Sequence, residues 1–224
     1  LRLPQFFLSG TVVLMFMPSH LKRCSQPVAG NAAVGVLALQ GDVSEHISAF
    51  ESAIQNLGLT IPVIPIRKAE QISDLIALAI PGGESTTIMR LIDQNGMRNI
   101  IQNFEGGIFA TCAGMVVAAR DLIDETRFTP LDLLDITVNR NAFGRQRESF
   151  EADLHMAGFD TPFHAIFIRA PIITRAGPDV TILAEIPQGI VAAKKGKKLI
   201  LSFHPEISHD LRMHEYFLTD VLGL

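Results

Sequence analysis

Only two cysteines, Cys24 and Cys112, occur in 224 residues. That is too few for a disulfide framework, and no Cys/His spacing resembles a structural zinc site. A reducing, cytoplasmic setting without a bound metal is therefore expected. An excess of positive charge is also missing. The formal net charge is −4, and no basic cluster stands ready to neutralise a phosphate backbone. The densest basic run, Lys194-Lys195-Gly196-Lys197-Lys198, lies between two strand-like segments and reads as a solvated hairpin tip. Nucleic acid is not indicated as a partner. The apolar stretch from Phe6 to Met17 is broken by Ser9, Gly10 and Thr11 and is too short to span a bilayer. Internal repeats, low-complexity tracts and long linkers are absent.

What is present is ordinary globular composition, with 48% apolar and 19% charged residues, which argues against disorder. The length suits one large domain or two small ones. Residues 1–32 differ from the rest: they faintly resemble a secretory signal, but read more simply as an amino-terminal extension. Residues 33–224 are expected to form a single domain.

Val34 to Leu39 is a short apolar run closed by Gly41-Asp42, the pattern of a buried parallel strand. Ile47, Phe50, Ile54 and Leu57 then recur at helical spacing, with Ser44 as N-cap and Gly58 just past the end. Strands are expected at 62–66, at 75–80 before Pro81-Gly82-Gly83, and at 108–111. Helices are expected at 86–94, 97–104 and 113–121. This alternation predicts an open, mostly parallel α/β sheet with helices on both faces. After residue 130 strand-like runs dominate, at 136–138, 150–154, 163–168, 190–193 and 199–203. An amphipathic helix carrying Leu211, Tyr216, Phe217, Leu218 and Val221 closes the chain.

Cys112 stands at the junction of a strand and a helix, with small neighbours Ala110, Ala113 and Gly114. A nucleophile on such a turn is presented to substrate, and the helix N-terminus favours its thiolate. The same pattern also suits an inert buried thiol. His204-Pro205-Glu206 follows another apolar run. Proline disfavours α conformation at His204, and in an extended chain residues two apart share a side. Glu206 can then fix the imidazole tautomer and leave the other nitrogen for the thiol proton. Gly82-Gly83 offers N–H groups for an oxyanion, while Glu84-Ser85-Thr86 can equally be a helix cap. Arg140, in a polar insertion, and Arg169, at the end of an apolar strand, suit a carboxylate, or alternatively loop salt bridges. Gly83, Cys112 and His204 all follow strands, so one crevice at the carboxyl ends can hold them. His20, His46, His155, His164, His209 and His214 are assigned no role, although His46 starts the first helix near the strand ends.

These residues carry a resemblance. From about Val34 to Leu222 the chain is similar to class I glutamine amidotransferases, and more closely to the glutaminase subunits of pyridoxal 5'-phosphate synthase. The markers are Leu39-Gln40-Gly41-Asp42, Pro81-Gly82-Gly83-Glu84-Ser85-Thr86-Thr87, Thr111-Cys112-Ala113-Gly114, Arg140-Asn141-Ala142-Phe143-Gly144-Arg145-Gln146, Phe167-Ile168-Arg169-Ala170-Pro171 and Ser202-Phe203-His204-Pro205-Glu206. The resemblance implies a flavodoxin-like architecture, with Cys112 as nucleophile, His204 as general base and acid, and Glu206 as its orienter. It implies an oxyanion hole from the backbone N–H groups of Gly83 and Ala113. Glutamine would bind at Gly83, Glu84, Ser85, Arg140, Ile168 and Arg169. No cofactor is implied. The partner would be a synthase subunit, in a large heteromeric assembly, that receives the ammonia. Alanine at 110 departs from the glycine usual in the family. The alternatives are the glutaminase of another amidotransferase, such as imidazole glycerol phosphate synthase, a small cysteine hydrolase, or a non-catalytic binding subunit.

Overall fold

The computed structural model describes residues 32–143 and 149–224. The amino-terminal extension up to residue 31, with Cys24, lies outside the described residues, as do Gly144, Arg145 and Gln146 of the polar insertion. The first half alternates as expected: β1 (Ala33–Leu37), α1 (Val43–Asn56), β2 (Val63–Ile66), β3 (Leu75–Ile80), α2 (Ser85–Gln94), α3 (Arg98–Gln102), β4 (Gly107–Thr111) and α4 (Ala113–Ala118). The second half is strand-rich: β5 (Ala119–Leu122), β6 (Leu134–Asn139), β7 (Ser149–Leu154), β8 (Phe163–Ile168), β9 (Ile172–Ala176), β10 (Thr181–Ile186), β11 (Gly189–Lys195) and β12 (Lys198–Leu201). It ends in α5 (Arg212–Tyr216) and a π-helical turn, Phe217–Val221.

Five strands pair in parallel in the order β2-β1-β3-β4-β12, the 2-1-3-4-5 order of flavodoxin-like sheets. Beyond β12 the sheet continues antiparallel through β11 and β9 to β6, and β5 lies parallel to β6. β7 and β8 form a separate antiparallel pair. Because side chains alternate along a strand, each central strand feeds two cores. Leu78, Ile80, Ala110 and Ile200 face α2 and α4. Ala77, Phe109, Leu199 and Leu201 face α1 and the carboxyl-terminal segment. Burial on both faces explains why these strands read as unbroken apolar runs. The parallel pairing also sets the carboxyl ends of β1, β3, β4 and β12 along one edge.

Three points need correction. The N-cap of α1 is Asp42, not Ser44, whose hydroxyl donates instead to Glu45. The helix after Cys112 stops at Ala118 rather than near residue 121. Ala119 is already extended and opens β5, because its strand pairs with β6. β9 and β10 were not anticipated. Both alternate poorly between buried and exposed positions, and both lie in the antiparallel part of the sheet. The Lys194–Lys198 run does form a hairpin tip, joining β11 to β12.

Candidate active site

Cys112 sits between β4 and α4 with φ 48° and ψ −107°. A residue without glycine's freedom pays about 1–3 kcal/mol for such a backbone. The surroundings hold it there: the Cys112 N–H donates to the Leu201 carbonyl at 2.9 Å. Gly114 lets α4 press on β3, since a methyl at that position would stand 2.1 Å from the Ile80 carbonyl oxygen. This is the sharp strand-to-helix turn that lifts a nucleophile above a sheet edge. Ala110 lies within β4 with its methyl in the core facing α4, so it occupies packing space rather than the crevice.

His204 follows β12, and its N–H donates to the Ile166 carbonyl of β8 at 2.9 Å. Its Nδ1 lies 2.6 Å from Glu206 Oε1, which leaves Nε2 for the sulfur. The route to that contact differs from the expectation. His204 lies outside the α region, with φ −110° and ψ 84°, but Pro205–Ile207 is a 3₁₀ turn, and this turn carries Glu206 back under the ring. Burial disfavours a charged His204, yet hydrogen bonds to Cys112 and Glu206 outweigh it and hold the ring's pKa up at about 10. Glu206 is pushed upward by its own burial. Gly82 makes room for the ring, since a methyl there would fall 2.4 Å from His204 Cε1.

A cavity of about 540 Å³ opens on this pair. Its walls include Gly83, Glu84, Ser85, Cys112, Ala113, Arg140, Ile168, Arg169 and His204. Every site residue anticipated from sequence is thus brought together except Glu206, which stands behind His204. A slightly larger hollow, about 580 Å³, lies beside Asp210 and Arg212 and has no thiol in its wall. Glu84 caps α2, accepting from Thr86 N at 3.1 Å and Thr87 N at 2.6 Å. Burial opposes its ionisation, but these bonds bring its pKa down to about 2. Arg140 reaches Glu84 Oε1 at 3.4 Å and pairs closely with Glu125. The Ile168 carbonyl faces the Cys112 sulfur at 3.6 Å.

The model of the SNO glutamine amidotransferase family matches residues 36–222. The chain belongs to that family. It is 91% identical over 196 residues, 88% of its length, to the whole of "Pyridoxal 5'-phosphate synthase subunit PdxT" from Methanospirillum hungatei. It is 56% identical to the protein of the same name from Methanosphaerula palustris, over 83% of this chain and 95% of that one. A crystal structure titled glutamine amidotransferase superposes with a TM-score of 0.76 at 41% identity, over 86% of this chain and all of the other.

Several residues of this amidotransferase's site carried no role in the sequence reading. Gln40 Oε1 accepts from Glu84 N at 2.8 Å and ties the loop after β1 to the Gly82-Gly83 turn. Asp42 Oδ2 lies 3.4 Å from His204 Nδ1, a second carboxylate on the same ring nitrogen. Both belong to the Leu39-Gln40-Gly41-Asp42 marker, so the signal was present without an assignment. Glu125 holds Arg140 from a loop with no periodic pattern, and nothing local marks it. Asp42, His204 and Glu206 offer ligand atoms within 4.8 Å of one another. A cation there would have to displace the proton shared between His204 and Glu206.

Proposed function

We propose that this amidotransferase is the glutaminase subunit of a pyridoxal 5'-phosphate synthase. It would hydrolyse L-glutamine to L-glutamate and ammonia and pass the ammonia to a synthase subunit in a heteromeric assembly. The observation that carries the reading is one cavity lined by a strained nucleophile elbow and a carboxylate-oriented histidine. The names of its relatives, subunits of pyridoxal 5'-phosphate synthase, support a partner subunit. Residues 33–224 act as one domain in this reading, and the proposed setting is cytoplasmic. Among the described residues no helix is long and apolar enough to cross a membrane.

His204 Nε2 takes the Cys112 thiol proton, and the sulfur attacks as thiolate. The sulfur bonds to the side-chain amide carbon, and the carbonyl oxygen becomes an oxyanion held by the N–H groups of Gly83 and Ala113. Each such donor contributes about 2.7–4 kcal/mol. His204 Nε2–H protonates the amide nitrogen, the C–N bond breaks, and ammonia leaves. Water then attacks the thioester and gives its proton to the same nitrogen, and the thiolate departs as glutamate forms. Glu206 keeps the ring in one tautomer throughout. Arg140 and the backbone of Ile168 and Arg169 hold the far end of glutamine beside Glu84 and Ser85. No cofactor takes part; pyridoxal phosphate is the product of the complex.

Glutamate release from glutamine, measured with and without the synthase subunit, tests this reading. Turnover should require Cys112 and rise when the partner is added. A Cys112→Ala variant that still hydrolyses glutamine would remove the thioester route.

A further inference from the structure

His46 stands on α1, one turn after Asp42, and is fully buried. Its ring meets Phe109 edge-on, with centroids 5.9 Å apart, and lies 6.1 Å from the ring of His214 on α5. Its Nε2 is 3.0 Å from Thr111 Oγ1 and 3.5 Å from Glu206 Oε2. Glu206 Oε1 is engaged by His204, whereas Oε2 is buried and makes no hydrogen bond in this arrangement, with His46 Nε2 the ring nitrogen that faces it. A buried carboxylate oxygen left without a donor is costly. Thr111 is the residue immediately before the nucleophile. One ring therefore spans from the strand end that carries Cys112 to the carboxylate that orients His204.

The geometry points to His46 as a positioning residue for the proposed glutaminase reaction, its Nε2–H holding Glu206 Oε2 and Thr111 Oγ1 in register. The inference rests on the glutaminase reading. The opposite tautomer would turn a ring lone pair toward the carboxylate and leave a buried Nδ1–H without an acceptor. Burial, reinforced by His214 and His204, keeps the His46 pKa well below its ordinary value, so the ring is neutral and carries one proton. His214 is also kept neutral by burial. The charged groups around Glu206 are then His204 and Asp42, and His46 supplies the neutral donor on the remaining side.

The test compares His46→Leu, which removes the donor, with His46→Gln, whose amide nitrogen stands near Nε2. In the complex with the synthase subunit, H46L should lower kcat roughly tenfold and leave KM within about twofold. Its Glu206 carboxylate, having lost a donor, takes up a proton at higher pH. The acid limb of kcat/KM, and of Cys112 alkylation by iodoacetamide, should accordingly move to higher pH. H46Q should return both limbs toward the wild type and restore turnover to within about threefold. Should H46L fail to fold, His46→Asn takes its place, because its shorter amide cannot reach the Nε2 position. The role is overturned if donor-less and donor-retaining variants lose activity equally, or if the acid limbs do not move. Wild-type complex that releases no glutamate would instead overturn the glutaminase reading and leave the alkylation profiles to judge His46 separately.

Discussion

At the scale of single residues, the crevice is arranged by what is small or strained. Gly82 is the clearest case, because its missing side chain is the space occupied by the edge of His204. Gly82→Ala should put a methyl 2.4 Å from His204 Cε1 and 2.9 Å from Asp42 Oδ2, and a buried ring has nowhere to retreat. Overpacking of this kind costs about 1–3 kcal/mol. Glutaminase assays should show at least a tenfold fall in kcat, with urea denaturation reporting the stability loss. Full turnover in this variant would mean that the imidazole is not held where the mechanism needs it. Cys112 illustrates the reverse relation: its strained φ persists because β4, β12 and α4 over-determine the elbow around it.

At the scale of elements, α2 owes its first turn to Glu84. That carboxylate accepts two backbone N–H groups and also meets Arg140, so one side chain both caps a helix and lines the cavity. Glu84→Ala should cost about 1 kcal/mol of stability near neutral pH, as loss of an N-cap does, and should raise KM for glutamine. The pH dependence has a defined sign. The folded pKa is lowered from 4.5 to about 2, so the contribution is present above about pH 4.5 and lost as pH falls toward 2. Urea midpoints of wild type and variant should therefore converge over that acid window. The 3₁₀ turn at Pro205–Ile207 works at the same scale: without it Glu206 would not pass beneath His204.

For the whole molecule, buried histidines shape how stability depends on pH. His214 is fully buried with both ring nitrogens unpartnered, and burial lowers its pKa from 6.5 to about 3. The unfolded chain then binds a proton that the folded chain refuses, so stability is lost as pH falls below about 6.5. The loss from this group is on the order of 2 kcal/mol by pH 5, at about 1.4 kcal/mol per pH unit. His204 acts on the other side. Its folded pKa is raised to about 10, so its contribution is complete below about 6.5 and fades as pH rises toward 10. Equilibrium urea denaturation from pH 5 to 9 should show a maximum near neutrality. His214→Leu should partly flatten the acid side, because it removes one of the two buried histidines, His46 and His214, that must charge on unfolding. An acid side as steep as the wild type's would assign the loss to other groups.

Much of this architecture was legible in one dimension, for a reason visible in the sheet. β1, β3 and β4 are buried on both faces, so they appear as apolar runs ended by glycine or a polar turn. α1 and α2 keep the helical period because one face packs and the other is wet. β9 and β10 were missed because partial exposure blurs their alternation, and β5 because its start continues the apolar stretch of α4. Cys112, His204, Glu206 and the residues of the Gly82-Gly83 turn were each marked by local pattern, since a nucleophile elbow, a pre-proline histidine and a glycine pair impose local backbone demands. Their meeting in one cavity was not written locally. It follows from parallel pairing of β3, β4 and β12, which sets three distant chain segments at one sheet edge. The roles of Asp42, His46 and Glu125 were decided only there: a charge or a ring acquires its function from the neighbours that folding supplies, and those neighbours lie too far away along the chain to leave a pattern in it.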